Sequence, residues 1–541
     1  MKYIVSIVLF LSMLQGLAQS TFRNPILPGA YPDPSICRVG DDYYLVNSSF
    51  EYFPGVPIWH SKDLVNWELI GHAVTRAKQF DYSGICSSCG FWAPSIRFHK
   101  GLYYLSVTWV DWRMKVGFKN VILTATNPAG PWSDPSVITD DIWGIDPAIF
   151  FDDDGKNYWL MNHPAEPGAH QGASTIMIQQ IDLAAMKLIG EKKIIGKGAQ
   201  IDAKYAEGPK MFKKDGYYYL FIAEGGTGVN HAVTVSRSKN IEGPYENFQG
   251  NPILTHRNMG YTSPIINIGH ADIVKTANKE WWMVCLGSRT LAGTDNIFGR
   301  ETYLVPMTWD KDQWPIVSPQ YGQVRAEERK PNLPEFKAAQ FASKDDFETS
   351  SLLPYWVTIR IPKENTYHLK NKGFLTLNLQ SCSLKELSEP AFVGQRLRYK
   401  QGDIITNLSF QPKSEKEEAG LAIYKSDKAY LRYVLSKNKN GNILTIISRK
   451  DSFEVVLFRK EILDINALQL KIIQQENKFT FYYSESQNAW QLAYKDFTGS
   501  LFSVEESGGF MGTMVGMYAS SNGSESKNFA KFDWFDYILK N

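Results

Sequence analysis

Cysteine is scarce in this chain. There are five in 541 residues, Cys37, Cys86, Cys89, Cys285 and Cys382. An odd number excludes a framework in which every cysteine pairs within the chain. Cys86-Ser-Ser-Cys89 has the spacing of a redox or zinc pair, but no second Cys pair or His pair completes a zinc site. A local disulfide in a loop and a pair of free thiols both remain open. Charge of one sign is also lacking: 58 Lys and Arg against 56 Asp and Glu leave +2. That balance excludes a strongly basic nucleic-acid binder and an acidic disordered chain. There is no long stretch of 3.6-residue periodicity and no Gly-rich phosphate loop, so a helical bundle or a doubly wound nucleotide fold fits badly. Nor is there an apolar run of the roughly 20 residues needed to cross a bilayer. The nearest, residues 3–14, follows Lys2 and precedes Gly16-Leu17-Ala18. Residues 1–19 therefore read as a secretory signal peptide, cut near Ala18 to Ser20. No cysteine near the cut could take a lipid, so the expectation is a secreted or periplasmic protein without membrane insertion or a nucleic-acid partner.

Aromatic residues are abundant, with 28 Tyr, 30 Phe and 15 Trp, and many fall in a repeat. Tyr43-Tyr44-Leu45, Tyr103-Tyr104-Leu105, Tyr158-Trp159-Leu160, Tyr218-Tyr219-Leu220 and Trp281-Trp282-Met283 recur about every 60 residues. Each follows a turn rich in Gly, Asp, Asn or Lys, and each turn follows a short apolar strand that contains Ile36, Ile96, Ile149, Met211 or Ile273. Further turn signals, such as Asn127-Pro128-Ala129-Gly130-Pro131, bring each unit to about four strands. The spacing predicts a five-bladed β-propeller over residues 20–314, in an all-β protein.

The first strand of each unit opens with a related motif. These are Asp33-Pro34-Ser35, Ala93-Pro94-Ser95, Asp146-Pro147-Ala148, Glu207-Gly208-Pro209 and His270-Ala271-Asp272. Innermost propeller strands line one channel, so Asp33, Asp146, Glu207 and His270 are expected to converge at its mouth. Glu207 lies one position earlier than the alignment requires. Converged carboxyls suit glycosidic hydrolysis, which needs one acid to protonate the leaving oxygen and one carboxylate to activate water or attack carbon. A third carboxylate can raise the acid's pKa. The same acids could instead hold a calcium ion, although no EF-hand-like loop is present. A non-catalytic sugar-binding propeller is the rival, and it needs no matched acid and base. Phe50, Phe53, Trp92 and Trp112 lie near the same loops and suit the apolar face of a sugar.

Taken in order, Tyr31-Pro32-Asp33-Pro34, Trp92-Ala93-Pro94-Ser95, Gly144-Ile145-Asp146-Pro147 and Ala206-Glu207-Gly208-Pro209 resemble the motifs of glycoside hydrolase family 43. Asn47 to Gly55, Gly269-His270-Ala271-Asp272 and Phe298-Gly299-Arg300-Glu301-Thr302 fit as well. The resemblance implies a five-bladed propeller and an inverting mechanism. By motif position Asp33 would be the general base and Glu207 the general acid. Asp146 would tune the acid and orient the sugar. His270 and Arg300 would line the pocket, with Phe50 and Trp92 as its aromatic wall. Arg289 competes for the arginine role, but Gly-Arg-Glu-Thr at 299–302 is the closer match. An inverting pair should stand roughly 6.5–9.5 Å apart. The resemblance implies no required cofactor. Calcium in the channel, as in some members, has only His270 to hint at it.

Beyond Trp314 the repeat stops. Residues 315–335 are charged and Pro-containing and read as a linker. From 336 to 541 short alternating strands without the 60-residue period predict a β-sandwich. Asp345-Asp346-Phe347 and Phe532 to Tyr537 are candidate paired terminal strands. Trp356 to Arg360 and Phe392 to Arg396 resemble the concanavalin-A-like C-terminal domain of family 43 β-xylosidases. That resemblance implies a loop closing one side of the pocket, and hence exo cleavage of terminal xylose or arabinofuranose from plant xylan- or arabinan-derived oligosaccharides. An independent carbohydrate-binding module is the alternative. The sequence does not address oligomeric state.

Overall fold

The second strand of each repeat shows why the aromatic triplets recur. In a computed structural model describing residues 20–540, except 261, 292–294, 370–372, 463–466 and 487, side chains of these strands alternate between two interfaces. Tyr43 and Leu45 pack against Val274, Trp282 and Val284 of the last unit. Tyr44 faces the other way, its ring 5.2 Å from that of Tyr103 in the second unit. Tyr158 and Leu160 likewise meet Leu220 and Ile222 of the fourth unit, whereas Trp159 joins Ile122 of the second. The second strand of each sheet is thus largely buried on both faces, which a run of consecutive large apolar residues satisfies. Residues 1–19, read as a signal peptide, lie outside the described residues.

Five antiparallel sheets follow one another along the chain. The first is Ser35–Val39, Asp42–Val46, Gly55–Ser61 and Glu68–Val74, and the second is Gly90–His99, Leu102–Val110, Phe118–Ala125 and Ser136–Thr139. The third runs from Ala148–Phe151 to Lys187–Gly196, the fourth begins at Glu207–Lys214, and the fifth runs from Ile265–Lys275 to Pro315–Val317. Two-residue turns such as Lys100-Gly101 and Asp215-Gly216 join first and second strands. Both residues of each turn have positive φ, as a tight hairpin demands. The first strands touch in a closed ring, Ser35–Val39 to Gly90–His99, Ala148–Phe151, Glu207–Lys214, Ile265–Lys275 and back. The result is a five-bladed propeller. Polar groups plug its axis: Asp272 accepts from Ser35 Oγ at 2.7 Å and from Arg97 Nη1 at 2.9 Å.

The boundary expected at Trp314 falls one strand early. Pro315–Val317 is the outermost strand of the fifth blade, paired with Glu301–Trp309. Glu327–Arg329, inside the expected linker 315–335, pairs with Thr21–Arg23 and ties the first described residues to the end of the propeller. Charge and proline content alone could not separate strand from linker there.

The second half is a sandwich of a six-stranded and an eight-stranded sheet. The expected terminal strands do pair, with Asp345 opposite Phe535. The two domains share structure. Thr358–Ile359 adds antiparallel to Tyr52–Phe53 of the propeller. Phe50 and Tyr52 lie in one core with Val357, Phe392, Tyr424 and Met514. Arg360, fully buried, donates from Nε to the Ile85 carbonyl at 2.9 Å and from Nη1 to that of Ser388 at 2.9 Å.

Candidate active site

One backbone feature aims the candidate side chains. Asp33, Ala93, Asp146, Gly208 and His270 occupy equivalent positions at the starts of the five innermost strands. Their φ angles are all left-handed, at 53°, 43°, 59°, 60° and 42°. For a residue other than glycine that conformation costs on the order of 1 kcal/mol, and it collects at functional sites. It also accounts for the offset of Glu207. The fourth-blade equivalent of Asp33 is Gly208, and Glu207 reaches the pocket from the preceding residue, beside a register shift between Glu207 and Lys210.

The pocket at this end of the channel, about 80 Å³, is lined by Asp33, Asp146, Glu207, His270, Arg300 and the aromatic rings of Phe50, Trp92 and Phe510. Asp33 is buried, with one hydrogen-bond donor on each carboxylate oxygen. Oδ1 accepts from Arg300 Nη1 at 2.8 Å, Oδ2 accepts from Ser48 Oγ at 2.6 Å, and His270 Nδ1 stands 4.0 Å away. Burial alone would raise its pKa. The Arg300 guanidinium, first, and the Ser48 hydroxyl nonetheless hold it below the usual carboxylate value.

The other two acids are driven upward. Burial and then the charge of Asp33 raise Asp146, against the pull of Lys210 and the 2.9 Å hydrogen bond from the Gly208 N–H. Burial, then Asp146, then Asp33, push Glu207 well above an ordinary glutamate. The pocket therefore favours the ionised form of Asp33 and makes Glu207 hold its proton more tightly than an ordinary glutamate. His270 is kept neutral by burial, its pKa lowered to about 3.

All seven residues expected at the site line this pocket. Phe50 is fixed by paired backbone hydrogen bonds with Phe91, and its ring lies 6.5 Å from that of Trp92. Arg289, the competing arginine, is bound by Glu301 at 2.6 Å and 2.7 Å. Two aromatic candidates lie elsewhere. Trp112 is 57% exposed and packs on Phe118. Phe53 sits in the interdomain strand pair, edge-on to Tyr82.

Phe510 is the residue that sequence reasoning did not name. It comes from the sandwich domain and stacks 6.4 Å from Phe50. A closing loop was expected, and glycines at 508, 509 and 512 flank this aromatic, but no periodicity marks it. Ala93, Ile145 and Thr227 complete the lining. Cys86 and Cys89 form a disulfide in a loop beside Trp92.

The side chains fit a channel calcium poorly. His270 Nε2 is buried without a hydrogen-bond partner, but one imidazole nitrogen is not the set of six to eight oxygens such an ion takes. The buried Lys210 ammonium acts on His270 as a like charge. Among the described residues no group of three or more His, Cys, Asp or Glu is placed to hold a metal.

Residues 22–315 match the family described as glycosyl hydrolases family 43, and residues 344–538 match the β-xylosidase C-terminal concanavalin A-like domain. A xylosidase/arabinosidase of Butyrivibrio fibrisolvens is 40% identical over 522 residues, 95% of this chain and 98% of that protein. A non-reducing end α-L-arabinofuranosidase of Bacteroides ovatus is 39% identical over 527 residues, 96% of each chain. The crystal structure of a xylan β-1,4-xylosidase from Bacillus halodurans superimposes with a TM-score of 0.90 at 35% identity, covering 96% of this chain and 100% of that one. Likeness of that extent, running through propeller and sandwich alike, makes this chain an exo-acting glycosidase that belongs to glycoside hydrolase family 43.

Proposed function

We propose that the protein hydrolyses terminal xylose or arabinofuranose residues with inversion, using Asp33 as general base and Glu207 as general acid. The observation that carries this is the contrast between the surroundings of the two acids: Arg300 and Ser48 bind the Asp33 carboxylate directly and favour its ionised form, while burial and the neighbouring Asp146 favour the protonated form of Glu207. Asp33 takes a proton from water as its oxygen attacks the anomeric carbon. Glu207 gives its proton to the glycosidic oxygen as that bond breaks. Exchange with solvent then returns each group to its starting state. A sugar-binding protein has no need of two acids tuned apart. Phe510 on one wall favours a pocket for a chain end over an open groove. Relatives named for xylosidase and arabinofuranosidase activity support both sugars as substrates. Export of the protein rests on the sequence of residues 1–19.

The test is hydrolysis of aryl xylosides and arabinofuranosides, with product configuration followed by NMR. Asp33→Ala and Glu207→Ala should each lose about 10²–10⁴-fold in kcat. The Glu207→Ala loss should shrink when the aryl leaving group needs no protonation. Equal activity in all three proteins, or a product of retained configuration, would overturn the assignment.

A further inference from the structure

The short loop closed by the Cys86–Cys89 disulfide is not needed for the chemistry just described, yet it touches two walls of the pocket. Ser88 lies at its centre with φ 66°. All three of its polar groups are engaged. Its N–H donates to Glu51 Oε2 at 2.9 Å, and its carbonyl accepts from the Trp92 indole at 2.8 Å. Its hydroxyl accepts from the Phe510 N–H at 2.9 Å. Glu51 is a buried propeller residue, Trp92 is a propeller wall of the pocket, and Phe510 is the wall supplied by the sandwich. The neighbouring Ser87 hydroxyl donates to Asp427 Oδ1 of the sandwich at 2.7 Å. Gly509 lets the closing loop come this near, because a Cβ there would stand 3.0 Å from Ser88 Oγ. On its other side the closing loop is held by the Lys425 ammonium on the Met511 carbonyl.

We propose that Ser88 is a positioning residue for substrate: through its carbonyl and its hydroxyl it sets the gap between Trp92 and Phe510, and with it the fit of the terminal sugar ring. The rings of Trp92 and Phe510 meet edge-on, their centroids 5.1 Å apart, so a displaced Phe510 changes the wall itself. This inference rests on the reading of the pocket as a glycosidase site.

Ser88→Ala removes the hydroxyl and leaves both backbone bonds. It should raise KM for an aryl glycoside about three- to tenfold, with kcat within twofold and an unchanged melting temperature. Ser88→Gly suits the left-handed backbone better but also lacks the hydroxyl, so it should raise KM to the same extent. A purely conformational role would spare it. In a Phe510→Ala background, Ser88→Ala should change KM by less than twofold, since its effect passes through Phe510. An active wild type whose KM is unmoved by either Ser88 variant would overturn the proposal. So would a Ser88→Ala effect that multiplies in full onto that of Phe510→Ala. A wild type inactive on every aryl glycoside would instead overturn the glycosidase reading beneath it.

Discussion

Asp33 and Glu207 share a buried pocket, and their immediate partners decide which of them carries a proton. Asp33 has a guanidinium and a hydroxyl on its two oxygens, whereas Glu207 faces other acids. The pH dependence of kcat/KM should be bell-shaped, its acid limb set by Asp33 and its alkaline limb by Glu207. Asp146→Asn removes the largest charge raising Glu207, so the Glu207 pKa falls and the alkaline limb moves to lower pH. Arg300→Gln removes the largest influence lowering Asp33 and also one that lowers Glu207. Both limbs should then move to higher pH, along with any loss in rate. Profiles of these two variants check the signs independently, and a limb that moves the other way refutes the corresponding assignment. That these acids would meet in one pocket was legible in the sequence because the motifs repeat in phase. Their opposite tuning was not, because Arg300 lies 267 residues from Asp33 in the chain.

At the scale of elements, the starts of the innermost strands and the closing loop place the groups. Gly208 has φ 60°, and a Cβ there would sit 3.0 Å from the His270 ring. Gly208→Ala should press on His270, which stands beside Asp33, and lower kcat roughly 10- to 100-fold while the propeller still folds. Steady-state kinetics with a circular dichroism control measure this. The closing loop lies directly on the backbone that precedes Arg300. Thr513 donates its N–H to the Ile297 carbonyl at 3.0 Å, and a Cβ on Gly512 would fall 2.0 Å from the Phe298 carbonyl oxygen. Gly512→Ala should therefore force the loop outward and raise KM several-fold, which substrate-saturation curves would reveal. Tyr43, Trp159 and their counterparts were legible as strand residues because propeller blades bury both faces. Phe510 was not legible, because a single aromatic between glycines carries no period.

At the scale of the whole molecule, propeller and sandwich do not behave as catalyst and appendage. They share a core around Phe50 and Tyr52, a strand pair, and the Arg360 bonds to the Ile85 and Ser388 carbonyls. Arg360→Ala would take this donor from the Ile85 and Ser388 carbonyls and leave a cavity. It should cost about 3 kcal/mol, read by denaturant unfolding. Deleting residues 336–541 should abolish activity on small aryl glycosides and expose the apolar face around Tyr52. An independent binding module predicts the opposite, with full activity on small substrates and weaker binding to polymer only.

Local patterning was enough to specify the five hairpin repeats, the change of architecture after the propeller, and the meeting of the acids in one pocket. Periodicity and turn chemistry act between residues close in the chain. The left-handed strand starts that aim Asp33, Asp146 and His270, the pairing of Asp33 with Arg300, and the arrival of Phe510 from the second domain belong to the folded molecule. Each depends on bringing together groups far apart in sequence and out of water, and no local pattern encodes that distance or that burial.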